Sequence, residues 1–160
     1  MRAHYERLRR LSVLLLGDRR EAEEIVQDVF LKAWEAELAQ APPRDWGAWL
    51  TRVAVNACRD RRRAGWWLRF RWRSDRVEDV PLATHEASPV DVALGEEGRR
   101  RIWSAFQSLP GRQREVFMLR FIEGLSTAEI SSVLALSPGS VKRHLFRAIR
   151  KLRVTLGDMR

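Results

Sequence analysis

The chain of 160 residues holds one cysteine, Cys58, which excludes an internal disulfide and a cysteine-based metal site. No apolar run approaches the roughly 20 residues that span a bilayer. The longest, Val13-Leu14-Leu15-Leu16, follows no signal-peptide pattern. Strand signals are lacking too, because nowhere does an alternating pattern run between turn residues. The three histidines, His4, His85 and His144, stand apart from cysteine and from carboxylates at metal-ligand spacing, and no phosphate-loop glycine motif occurs. These absences argue against a nucleic-acid enzyme. The expectation is a soluble, intracellular protein with no cofactor, metal or small-molecule substrate.

What the chain does have is basic charge: 30 Lys and Arg against 21 Asp and Glu, a net of +9. A balance this basic suits a polyanionic partner, either nucleic acid or a membrane surface. With 45% hydrophobic residues the chain can also bury a core. The charge is unevenly placed. Residues 1–72 carry a net +5, residues 73–98 a net −5, and residues 99–160 a net +9. Two basic blocks flank an acidic one. The acidic stretch 74–88 contains Pro81, precedes Pro89 and has no apolar periodicity, so it reads as a linker.

Both flanks read as helical, which predicts an all-α chain of two small domains. In the first, Tyr5, Leu8, Leu11, Leu15 and Leu16 fall at helical spacing and stop at Gly17. Asp18 can cap the next helix, with Glu21 completing a capping-box-like pair. That helix places Ala22, Ile25, Val26, Val29, Phe30, Ala33 and Trp34 on one stripe, and Glu24, Gln27, Asp28 and Glu35 on its other face. After Pro42-Pro43, a third helix turns Trp46, Trp49, Leu50, Val53, Ala54, Ala57 and Cys58 inward. It presents Arg52, Asn56, Arg59, Asp60 and Arg63 outward. Trp46 and Trp49 are residues of the type that stacks on bases, but their spacing with Leu50 and Val53 favours packing. Beyond the linker, helices are expected at about 92–108 and 112–122, separated by Leu109-Pro110-Gly111.

The last two helices carry the sharpest signal. Ser126-Thr127-Ala128-Glu129 is a capping box, Ala135-Leu136-Ser137 a tight turn, and Pro138 sits at the first position of the following helix. Val141, Leu145, Ala148, Ile149 and Leu152 form its buried stripe. Opposite lie Ser140, Arg143, Arg147 and Arg150, with Lys142, His144 and Lys151 on the flanks and Phe146 between. This is helix-turn-helix geometry suited to the major groove, where Arg reads guanine and flanking cations neutralise phosphates. Ser140, Arg143 and Arg147 are the expected base readers, and Phe146 is placed to touch a thymine methyl.

Leu109-Pro110-Gly111-Arg112-Gln113-Arg114-Glu115-Val116-Phe117, Gly124-Leu125-Ser126-Thr127-Ala128-Glu129-Ile130 and Gly139-Ser140-Val141-Lys142-Arg143 resemble region 4 of extracytoplasmic-function sigma factors. The segment from Gly17-Asp18 through Ala22 to Trp34, then Trp49 to Asn56, Asp60 and Arg62-Arg63, resembles region 2 of the same family. The resemblance implies region 2 over 1–72, a flexible acidic linker over 73–91 and region 4 over 92–160. It implies a non-enzymatic cytoplasmic protein of bacteria that binds core RNA polymerase and promoter DNA. Glu24, Gln27, Asp28 and Leu31 would dock on the clamp coiled coil of the largest polymerase subunit. Asn56, Arg59, Asp60 and Arg63 would engage and melt the −10 element. Ser140, Lys142, Arg143, Phe146, Arg147 and Arg150 would face the −35 element. The polymerase flap region and an anti-sigma factor, often membrane-linked, are the further partners implied, and the linker would thread toward the RNA exit path.

Some features depart from the family pattern. A helical segment usually precedes the position of Tyr5. The loop 39–45 is short, with two prolines, so capture of a flipped base is expected to differ. The run Trp66-Trp67-Leu68-Arg69-Phe70-Arg71-Trp72 is additional and suits packing or partner contact, DNA stacking or a membrane. Arg143 stands where a small residue is usual, and His144 where Arg is. The rival reading, a stand-alone helix-turn-helix regulator of operator DNA, leaves the first domain and the linker without a role.

Overall fold

The computed structural model describes residues 2–71 and 89–157, with side chains over 4–65 and 95–157. Every described element is helical, and the contacts divide the chain into two units, Met1–Pro81 and Leu82–Arg160. The division falls inside the stretch read as a linker. Residues 72–88 and the side chains of 66–71 lie outside the described residues, so the expectations for the linker and the aromatic run are not addressed by the structure.

The first unit is a three-helix bundle of α1 (Arg2–Leu16), α2 (Arg19–Leu38) and α3 (Trp46–Arg71). Gly17 closes α1 at φ 80°, a left-handed position that glycine takes without cost, and its amide bonds the Val13 carbonyl at 2.8 Å. Asp18 follows in extended conformation and accepts the Glu21 amide at 2.9 Å, one of the two bonds expected of the capping pair. Leu8, Leu11 and Leu15 of α1 meet Ala22, Ile25, Val26, Val29 and Ala33 of α2 and Leu50, Ala54, Val55 and Cys58 of α3. A fully buried Leu or Val is worth about 1.5–3 kcal/mol, so this shared core dominates the stability of the unit.

Two departures from the sequence pattern have clear causes. Trp34, expected on the buried stripe, is 62% exposed. At 100° per residue it lies roughly 120° from the centre of the stripe, beyond the arc that two neighbouring helices cover. Conversely, Thr51 and Val55 are buried although neither was on the expected stripe, because α3 packs on both α1 and α2. Burial of the Thr51 hydroxyl is tolerable because it is satisfied. It donates to the Gly47 carbonyl at 2.8 Å and accepts from Arg7 Nη2 at 2.9 Å.

The second unit comprises α4 (Pro89–Gln107), α5 (Gly111–Phe121), α6 (Thr127–Leu134) and α7 (Pro138–Gly157). Helix α4 begins three residues before the expected 92, with proline at a first-turn position that needs no amide. It is broken at Gly95 (φ 65°, ψ 169°), a conformation open only to glycine. Leu109-Pro110 then turns the chain into α5. Phe106, Val116, Met118 and Leu119 form the core with Ile130, Val133, Leu134, Val141 and Ala148, and α7 packs on α4, α5 and α6 together. Arg114 lies over the Phe106 ring and donates to the carbonyls of Gln107 and Leu109, so it closes the C-terminal end of α4.

Candidate nucleic-acid interface and docking face

Helix α7 is positioned by local chemistry at its start. The expected capping box opens α6: the Ser126 amide donates to Glu129 Oε2 at 2.7 Å, and the Glu129 amide to Ser126 Oγ at 3.3 Å. Ala135 takes the left-handed conformation (φ 52°, ψ 48°), and Ser137 then accepts the Ser140 amide on its Oγ at 3.2 Å to open α7. With Val141 and Ala148 buried beneath, Lys142, Arg143, Phe146, Arg147 and Arg150 are all exposed. Phe146 is 66% exposed, which is high for an aromatic side chain. The helix has six Lys and Arg and no acidic residue, so every charged side chain on it is cationic.

Three of the basic or polar side chains of α7 are less free than the sequence suggests. Ser140 is half-buried and its hydroxyl lies 2.9 Å from that of Ser137, within the helix start. Lys151 donates to the Ser108 carbonyl at 2.6 Å. His144 is half-buried, and its buried Nδ1 has no hydrogen-bond partner among the described residues. Burial above all, then Arg112, Arg147 and Arg143, push its pKa below the ordinary 6.5, against the opposing charge of Glu115. The imidazole is therefore a neutral group inside a cationic surface. Glu115 is itself buried, paired with Arg112 at 3.3 Å.

In the first unit the outward face of α3 carries Arg52, Asn56, Asp60 and Arg63, all exposed. Arg59 is half-buried and donates to Asn56 Oδ1 at 3.0 Å, which leaves the Asn56 amide group as the outward donor. Trp46 and Trp49 are half-buried and pack edge to face at 5.6 Å.

The outer face of α2 is of different character. Glu24, Gln27 and Asp28 are exposed, and Leu31 is 59% exposed. Trp34 and Leu38, neither assigned to this face from the sequence, extend it as exposed apolar positions. Trp34 lies three residues and Leu38 seven residues after Leu31, so the two share its side of the helix, and that spacing was the available signal for Leu38. The acidic half is held from α3: Arg61 Nη1 donates to Glu24 Oε2 at 3.0 Å. The stripe is thus acidic toward its N-terminal half and apolar toward its C-terminal half.

Among the described residues no group of three His, Cys, Asp or Glu could hold a metal ion, and no helix is long and apolar enough to cross a membrane. Residues 1–68 match the family description "Sigma-70 region 2" and residues 99–152 match "Sigma-70, region 4". The chain is 34% identical to the ECF RNA polymerase sigma factor SigL of Mycobacterium tuberculosis, over 99% of its own length and 90% of the relative's. It is 28% identical to the ECF RNA polymerase sigma factor SigW of Bacillus subtilis, over 96% and 85%. Among solved structures it is similar to CnrH in complex with the cytosolic domain of CnrY, with a TM-score of 0.67 and 28% identity over 98% of this chain and 84% of the other. The chain belongs to the sigma-70 family, in its extracytoplasmic-function group, and is an alternative sigma factor that directs transcription initiation by RNA polymerase.

Proposed function

We propose that three helix faces divide the work of initiation. The α2 face, with Glu24, Gln27, Asp28, Leu31 and in addition Trp34 and Leu38, docks on the polymerase clamp. An acidic half beside an apolar half suits a basic, partly apolar helical partner, with charge guiding encounter and the apolar groups supplying contact. The α3 face, with Asn56, Arg59, Asp60 and Arg63, engages the −10 element. Extruding a base there costs a few kcal/mol, which contacts to the flipped nucleotide must offset. The α7 face reads the −35 element, with Arg143 and Arg147 toward base edges, Lys142 and Arg150 toward phosphates and Phe146 toward a thymine methyl. Ser140 contributes by setting the start of the helix. The chain itself performs no bond chemistry, and its place of action is the cytoplasm, where polymerase and chromosome are.

The observation that carries this reading is the pairing, in one chain, of an acid-free cationic helix with an acidic–apolar helix face. A stand-alone operator-binding regulator has no use for the second. Exposed Phe121 and Ile122 at the end of α5 offer an apolar contact for the polymerase flap. CnrH is described in complex with CnrY. We extend a partner of the anti-sigma class to this chain, with the exposed Leu31, Trp34 and Leu38 as its contact. The test is run-off transcription with purified core polymerase from the promoter upstream of the chain's own coding sequence. Full-length chain yields a transcript, Arg147→Ala lowers it at least about fivefold through one lost base contact of about 1–3 kcal/mol, and Asp28→Asn with Leu31→Ala lowers it through lost assembly. Specific binding of the free chain to operator DNA with no effect on polymerase would overturn the proposal.

A further inference from the structure

We propose that Arg61 sets the affinity of the α2 docking face by competing with the partner's own cations for Glu24. The inference rests on the reading of that face as the polymerase-docking surface. A partner that recognises Glu24 and Asp28 must present basic groups to them. One such group is already there. Arg61 lies on α3 between Asp60 and Arg63, yet its guanidinium turns to α2 and bonds Glu24 Oε2 at 3.0 Å across 37 residues of sequence. Its pKa is raised first by that hydrogen bond and further by the charges of Glu21, Glu24 and Asp28, against the cost of burial. The whole acidic ridge therefore holds this cation.

A second cation, Arg20, lies 3.7 Å from Glu24, but its side chain is 91% exposed where that of Arg61 is 33% exposed. Arg61 is the anchored partner, with part of its surface removed from water by the bundle. Asp28, four residues on, has no ion pair among the described residues, so the ridge offers one carboxylate that is open and one that is occupied. An ion pair this accessible to water is weak, which makes it exchangeable: a docking helix can take over Glu24 by displacing Arg61. The displaced contact is subtracted from the affinity, so Arg61 holds the free chain back from tighter binding to a basic surface.

The test measures competition binding of the full-length chain to core RNA polymerase at low and high salt, with folded fractions matched by circular-dichroism melts. Arg61→Gln is expected to bind about two- to five-fold tighter at low salt, the range a surface ion pair can supply. The gain should shrink at high salt and be absent when Glu24 is also replaced, in Glu24→Gln/Arg61→Gln against Glu24→Gln. Arg61→Met, which keeps the aliphatic stem packed on the bundle, should reproduce the gain if Gln disturbs the fold. Unchanged or weaker binding by both Arg61 variants overturns the proposal. Asp28→Asn and Leu31→Ala test the underlying reading separately: if neither weakens binding, α2 is not the docking face, whatever the Arg61 variants do.

Discussion

Lys151 Nζ lies 2.6 Å from the carbonyl oxygen of Ser108, and this bond ties α7 to the C-terminal end of α4. The carbonyls at a helix C-terminus carry partial negative charge and lack intrahelical partners, so a cation there is favourable. Lys151 is thus distinguished from Arg143 and Arg147, which face outward. Lys151→Met is expected to cost about 1 kcal/mol of stability, measured by chemical denaturation of the full chain. Its effect on promoter affinity in the holoenzyme should be smaller than that of Arg147→Ala. A lower salt slope with unchanged stability would show instead that Lys151 contacts a phosphate.

Trp34 offers a second separation of stability from function. A tryptophan on the buried stripe would cost about 3–5 kcal/mol on truncation to alanine, whereas a surface substitution stays within about 0.5 kcal/mol. At 62% exposure the second case applies. Trp34→Ala should leave the melting temperature of the chain nearly unchanged and weaken its binding to core polymerase. A large loss of stability would place the indole in the core after all.

Which parts were legible in the sequence follows from how far each interaction reaches along the chain. The caps Ser126–Glu129 and Ser137–Ser140 join residues three apart, and both stand in the structure as the sequence implied. The cationic ridge of α7 was legible for the same reason, since helical phase alone sets it. What depended on neighbouring helices was not. The exposure of Trp34 is set by the arc that α1 and α3 leave open. Arg61–Glu24 and Lys151–Ser108 join residues 37 and 43 apart, and Arg114, part of a family-like motif, proves to close α4. His144 looked like a flank residue because its burial comes from another helix.

Ala135 carries a local strain that the helix-turn-helix retains. Its φ of 52° and ψ of 48° are left-handed, while its amide and that of Leu136 both bond the Ser131 carbonyl to end α6. A residue with a Cβ loses about 1–2 kcal/mol in this conformation, and glycine gives back about 0.4–1 kcal/mol through its freer unfolded chain. Ala135 is exposed, so no packing is lost. Ala135→Gly should therefore stabilise the chain by about 0.5–1 kcal/mol in denaturant titration, by the difference of these terms. Destabilisation would mean that the methyl group makes a contact of value.

His144 links the same helix to pH. Its pKa in the fold lies below the ordinary 6.5, first through burial, then through Arg112, Arg147 and Arg143, with Glu115 pulling the other way. Near and below pH 6.5 the unfolded chain therefore binds a proton that the folded chain refuses, so stability rises with pH across this window. The contribution is complete above pH 6.5 and declines as the pH falls toward the depressed folded value. The imidazole Nδ1 is buried without an acceptor among the described residues, so protonation there would place a charge near three guanidinium groups with no described hydrogen bond to receive it. Carboxylates elsewhere add their own acid dependence, mostly at lower pH, so the signature is a difference between variants. Between pH 5.5 and 7.5 the melting temperature of the wild-type chain should fall on acidification more than that of His144→Gln. Parallel curves would show that His144 titrates as it does in the unfolded chain.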